Sequence, residues 1–189
     1  PCSIICCVND KKNGARPVPD FSVFDGQRLL GLDRLGLRAR CMRFLDRGNG
    51  SGVWQIRCDT GDESARACVS CGCVCRVRTS RERTVVHVPL GSDAIHLKVR
   101  VCTYECVTCA RMWHDDLKAL VSGRTLLSRA AVDWALRRVA LESASISACA
   151  RTLGCSWNAL DRAVRAHGMR ILSRSDPYAR VTRIGVDEH

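Results

Sequence analysis

Lysine is scarce in this chain. It occurs only at Lys11, Lys12, Lys98 and Lys118, so nearly all of the positive charge is arginine. No stretch approaches the length of apolar sequence that a membrane-spanning helix needs. The apolar "CSIICCV" is too short for the hydrophobic region of a signal peptide and has no basic start, which argues against secretion. There is no internal repeat and no low-complexity run, so solenoids and compositionally biased tails are excluded.

What is present points to a small, basic, globular protein. Hydrophobic residues make up 46% of the 189 positions, enough for a core divided among small units. The net charge is +11 with a sequence pI near 9.3, so a polyanion is the natural partner. Arginine suits that partner, because its planar guanidinium binds phosphate and guanine in a bidentate manner. The 14 cysteines allow either a secreted disulfide framework or an intracellular metal site. Without a secretion signal the expected compartment is the cytoplasm, where paired cysteines favour metal over disulfides.

Residues 1–27 contain Lys-Lys, Asn-Gly and the closely spaced Pro17 and Pro19 and are expected to be a poorly ordered lead-in. "LGLRARCMRFL" and "VWQIRC" alternate apolar with polar residues and predict two half-buried strands, joined by the glycine-rich "DRGNGSG". "TVVHVPL" then leads through "GSD" into "AIHLKVRVC", which predicts a hairpin. In its second strand Ile95, Leu97, Val99 and Val101 share one face, and His96, Lys98 and Arg100 share the other. Helical spacing begins after Leu126, with Ser128 as N-cap and Val132, Ala135, Leu136 and Val139 on one stripe.

Two motifs carry chemistry. "CVSCG" and "CVTCA" place Cys68 with Cys71 and Cys106 with Cys109. Two Cys-x-x-Cys turns facing each other form a tetrahedral thiolate site for Zn2+, and the predicted hairpin between them would bring the second pair back to the first. Such a site is structural, because four thiolates leave no open position for a catalytic water. Ala110 stands where a second glycine is expected, and Cys73, Cys75 and Cys102 offer competing thiols. Cys2, Cys6 and Cys7 receive no role. The acids of "HDD" (Asp115 and Asp116) read as a solvated loop leading to a helix, not as a metal cradle.

The second motif is "SISACARTLGCSWNALDRAVRAHG". Ile146, Cys149, Ala150 and Leu153 form a helical stripe, Gly154 and Cys155 interrupt it, and Ser156 caps a second helix. The small Ala150 four residues before Gly154 gives the spacing of a helix-turn-helix. In the second helix Trp157, Leu160, Val164 and Ile171 are expected to face inward. Asn158, Arg162 and Arg165 share the opposite face and present the side chains that read adenine and guanine edges. Cys149 and Cys155 are expected to be packing residues, and His167 a helix-end residue beside a terminating Gly168.

In this order, "CVSCGC", "VRVCTYECVTCARMWHDD", "ARTLGCSWNALDRAV" and "IGVDEH" resemble the ISL-three family of bacterial insertion-sequence transposases. The resemblance covers the chain from about Leu29 onward. It implies an α+β chain: a β-rich, zinc-ribbon-like region at 28–118 and a helix-turn-helix domain at 119–172. Residues 173–189 would be a linker and the first strand of an RNase H-like catalytic domain. It implies recognition of double-stranded DNA at the element's terminal inverted repeats, a homo-oligomeric full-length enzyme, no membrane partner and a nucleoid location. Cys68, Cys71, Cys106 and Cys109 match the family's zinc ligands, Cys102 stands where arginine is usual, and Ala110 replaces the usual glycine. Asp187 matches the first of two aspartates and a glutamate that hold Mg2+ or Mn2+ for phosphoryl transfer. One carboxylate cannot assemble that centre, so this chain is expected to bind DNA without strand transfer. The alternative is a zinc-ribbon and helix-turn-helix transcription regulator, for which "VDEH" is only a tail.

Overall fold

Alternating apolar residues and glycine-rich turns build a single mixed sheet, and helical spacing takes over beyond it. The structure, a computed structural model, describes residues 23–48, 50–60, 67–123 and 125–174, together with 179, 182, 183 and 185. Cys2, Cys6, Cys7 and the expected C-terminal strand with Asp187 lie outside the described residues. Helix α1 (Val23–Leu29) and a 3-10 turn (Leu32–Leu35) precede strands β1 (Leu37–Asp46) and β2 (Gly52–Thr60). The long hairpin of β3 (Cys75–Leu90) and β4 (Asp93–Cys106) follows, then the short β5 (Met112–His114). Helices α2 (Arg129–Glu142), α3 (Ile146–Leu153) and α4 (Trp157–Leu172) complete the chain. Four helices and a five-stranded sheet make it α+β among the described residues.

The strand order is β1-β2-β4-β3, with β5 on β4. β1 pairs antiparallel with β2, and β3 with β4, as the alternation predicts. β2 runs parallel to β4, with Val53 beside Ala94 and Asp59 beside Arg100. The central β4 is therefore buried along most of its length. Ile56, Val85, Leu97 and Val99 are fully enclosed on one face, beneath Leu32, Leu120 and Val121. Burying each such side chain contributes roughly 1.5–3 kcal/mol.

The opposite face, through Val86, joins a second core made by Leu127, Ala131, Ala135, Cys149, Ala150, Leu153, Leu160 and Val164. Two histidines tie the sheet to these helices. His96 Nε2 donates to the Leu153 carbonyl at 3.3 Å. His87 donates from Nε2 to the Leu30 carbonyl at 3.4 Å, so its Nδ1 accepts from the Ser128 hydroxyl at 2.9 Å. Burial holds both imidazoles below their ordinary pKa. No helix among the described residues is long and apolar enough to cross a membrane.

Several expectations change. Helix α1 begins inside the stretch read as a lead-in, where Gln27 bonds Ala39 N and Leu37 O and so anchors β1. Asp115 is not solvated: it is 4% exposed and accepts from Cys102 N at 2.6 Å and Tyr104 O–H at 3.0 Å. Trp157 and Ile171 do not face the core, being 48% and 45% exposed. They sit in the first and last turns of α4. Nor does α4 stop at Gly168, but continues to Leu172. There a Cβ on Gly168 would meet only Leu136, at an ordinary contact distance of 3.9 Å, so the helix runs through the glycine without strain.

Candidate metal centre and helical surface

Each Cys-x-x-Cys segment closes into the same turn. In the first, Gly72 N donates to the Cys68 carbonyl at 2.8 Å and Cys68 N to the Cys73 carbonyl at 2.9 Å. In the second, Ala110 N donates to the Cys106 carbonyl at 3.1 Å and Cys106 N to the Arg111 carbonyl at 2.9 Å. The residue after the second cysteine is left-handed in both: Gly72 has φ 71° and Ala110 has φ 57°. Cys75 lies opposite Cys106 in the β3–β4 register, so the hairpin carries one turn onto the other.

The four sulfurs of Cys68, Cys71, Cys106 and Cys109 all lie within 4.8 Å of one another. Cys68 and Cys109 Sγ are 3.6 Å apart, Cys71 and Cys106 3.4 Å, and Cys71 and Cys109 3.8 Å. A tetrahedral ion with metal–sulfur bonds of about 2.3 Å requires sulfurs about 3.8 Å apart, whereas a disulfide requires about 2.05 Å. The spacing fits a metal ion and not two disulfides.

Each turn buries its first cysteine and exposes its second. The N–H groups of Cys109 and Thr108 hold the Cys106 thiol down at about 6. Those of Ser70 and Cys71 likewise lower Cys68. These backbone dipoles favour the thiolate form at the two buried cysteines, whereas the bond to the Cys106 sulfur raises Cys71 and Cys109 within the four-thiol cluster. Cys73, Cys75 and Cys102 are not in the four-sulfur cluster. The Cys73 thiol is directed to the Cys71 carbonyl, and the Cys75 thiol to the Cys73 carbonyl.

On the helices, Ser128, Ser145 and Ser156 each accept from a backbone N–H three residues ahead, which starts α2, α3 and α4 cleanly. Gly154, with φ 66°, ends α3. Leu160 and Val164 fasten α4 to the other helices, leaving Asn158, Arg162 and Arg165 exposed on its outer side. Arg162 Nε donates to the Asn158 carbonyl at 3.2 Å, and Arg165 holds Asp161 at 2.9 Å. An exposed i,i+4 pair contributes only about 0.3–0.5 kcal/mol, so Arg165 is easily released. Cys149 and Cys155 are packing thiols, and burial raises both, Cys155 to about 11.

No family model, curated protein or solved structure matches the chain. Its chemistry therefore rests on the site itself. Four cysteines can hold a metal ion with no open coordination position, and a separate helix presents two arginines and an asparagine to solvent. The sequence missed Asp115, which fastens β4 beside the second turn; an acid after a strand carries no signal of burial.

Proposed function

We propose that the chain is the DNA-binding part of a bacterial transposase like those of the ISL-three family. Cys68, Cys71, Cys106 and Cys109 would hold a structural Zn2+, and α3 and α4 would act as a helix-turn-helix on double-stranded DNA. The observation that carries this reading is the outer face of α4. Asn158, Arg162 and Arg165 are exposed there together, on a helix clamped from behind by Leu160 and Val164, in a chain of net charge +11. Such a face suits major-groove readout, with arginines elsewhere neutralising phosphates. The proposed target is the element's terminal inverted repeats, bound by a homo-oligomer of the complete transposase at the nucleoid. Asp187 would be one of several carboxylates for Mg2+ or Mn2+ in that enzyme, and alone it performs no phosphoryl transfer.

Metal analysis and duplex titration test the reading together. The expected result is one tightly held zinc per chain, and duplex binding whose log K falls linearly with log salt. Selection from a random duplex library should return a preferred sequence that changes in Asn158→Ala and Arg162→Ala. Less than one zinc per chain, or binding indifferent to salt, sinks it.

A further inference from the structure

The β1–β2 loop does not stay with the sheet. Its backbone is closed by Arg47 N donating to the Ser51 carbonyl at 3.1 Å, and by Gly48 N donating to Asp46 Oδ1 at 2.8 Å. This closure aims Arg47 at the turn between α3 and α4. Its Nη2 lies 2.7 Å from where a Cβ on Gly154 would stand, so the missing side chain makes room for the guanidinium. Arg47 and Arg151 then line one open cleft of about 530 Å3, with Ser51, Ser92 and Thr152.

This pair has no evident structural use. The cleft's lining contains no carboxylate, and neither guanidinium has an ion-pair partner among the described residues. Arg47 is not needed to satisfy the end of α3. There the Ala150 carbonyl accepts from Cys155 N, the Arg151 carbonyl from Gly154 N, and the Leu153 carbonyl from His96. Two guanidiniums lining one hydroxyl-bearing cleft without a carboxylate match the chemistry of a phosphodiester. The cleft also adjoins the start of α4. Cys155 is in its lining, just before the Ser156 cap, and Asn158 stands in the first turn of α4.

We propose that Arg47 and Arg151 form a phosphate-binding cleft through which the sheet and the helix pair grip one strand of the duplex that α4 reads. This rests on the DNA-binding reading above and adds to it a second, sheet-borne contact. The β1–β2 loop thereby sets the angle of α4 on the DNA, a task the helices alone would leave to α4.

The test uses the whole zinc-loaded chain and a fluorescein-labelled, mixed-sequence duplex about two helical turns long, titrated across a range of KCl concentrations. Arg47→Gln and Arg151→Gln should each weaken binding severalfold and reduce the salt slope by about 0.9. Arg34→Gln, an equal charge change on the 3-10 turn, should leave the slope near wild type. Arg47→Lys should restore the salt slope, which counts charge, and recover the affinity only in part, since an ammonium cannot bind phosphate in a bidentate manner. Zinc content and circular dichroism confirm that each variant is folded.

If wild type shows no salt-dependent binding, the DNA reading fails and this inference with it. If wild type binds and the cleft variants match Arg34→Gln, the cleft is overturned while the DNA reading stands. Inorganic phosphate provides the last arm. Phosphate binding to the free chain that is lost in Arg47→Gln, with duplex affinity and salt slope unchanged by that substitution, would assign the cleft to a free anion and overturn the duplex contact.

Discussion

The two Cys-x-x-Cys turns have the same backbone and differ at one informative position. Gly72 adopts φ 71° at no steric cost, whereas Ala110 adopts φ 57° with a Cβ. A left-handed residue with a Cβ costs about 1–2 kcal/mol, and the greater unfolded freedom of glycine returns about 0.5–1 kcal/mol of that difference. Ala110→Gly should therefore stabilise the zinc-loaded protein by about 0.5–1 kcal/mol. A Cβ on Gly72 meets nothing within 4 Å, so Gly72→Ala should lose the same amount for conformational reasons alone. Because metal retention is linked to folding, about 1 kcal/mol corresponds to roughly a fivefold change in apparent zinc affinity. Urea unfolding and competition against a chromophoric chelator measure the two quantities. The double variant exchanging the residues should return to within about 0.5 kcal/mol of wild type. An Ala110→Gly protein that loses zinc more readily, or a neutral Gly72→Ala, refutes the reasoning.

Three further outcomes are expected. Gly154→Ala should cost about 2–3 kcal/mol in urea unfolding, because its φ of 66° is joined by approaches of 3.2 Å to Ala94 and His96. Gly31→Ala, at φ 60° with nothing within 4 Å, should cost only the backbone share, and equal losses would remove the packing argument. Asp115→Ala should lose about 2 kcal/mol, since it removes the acceptor of both Cys102 N and the buried Tyr104 O–H. The pH dependence follows from His87 and His96, whose folded-state pKa values lie below the ordinary 6.5 because burial disfavours the cation. The unfolded chain then takes up protons first, so their contribution is complete above about 6.5 and is lost as pH falls below it, by at most about 1.4 kcal/mol per pH unit each. Urea midpoints between pH 7.5 and 5 should fall, and less steeply in His96→Gln; an unchanged slope would contradict this assignment.

Much of the local structure was readable because it follows from period and punctuation. Alternation in Leu37–Asp46 and Gly52–Thr60 predicts β1 and β2, and serines at positions 128 and 156 predict two helix starts. The four cysteines were readable because spacing fixes a turn and thiolates converge on metal. What was hidden depends on partners distant in sequence. The parallel pairing of β2 with β4 leaves no local trace, since it is decided by which faces the helices cover. Trp157 and Ile171 lie on the predicted stripe, but in the first and last turns of α4 both stay exposed. Arg47 could not be distinguished from any other loop arginine until Gly154 was seen to receive it.

The position of the thiolate centre along the hairpin has its own logic. The lower half of β3 is sandwiched, with Val85 facing one core and Val86 the other. The upper half, Arg76 through Glu82, is exposed at every residue and gains little from burial. Its partner β4 is held there by Asp115, by the ring of Tyr104 stacked 6.0 Å from Trp113, and by the turn at Cys106. A two-stranded ribbon without a core on both faces is marginal in water, and small units compensate with a metal or a disulfide. The four cysteines stand at the end of the hairpin where apolar burial has run out. A metal bound there would close the open end of the ribbon, while the end that carries the helices is already held by two hydrophobic cores. A metal centre at that place would support the sheet from the end of β4 opposite the helices.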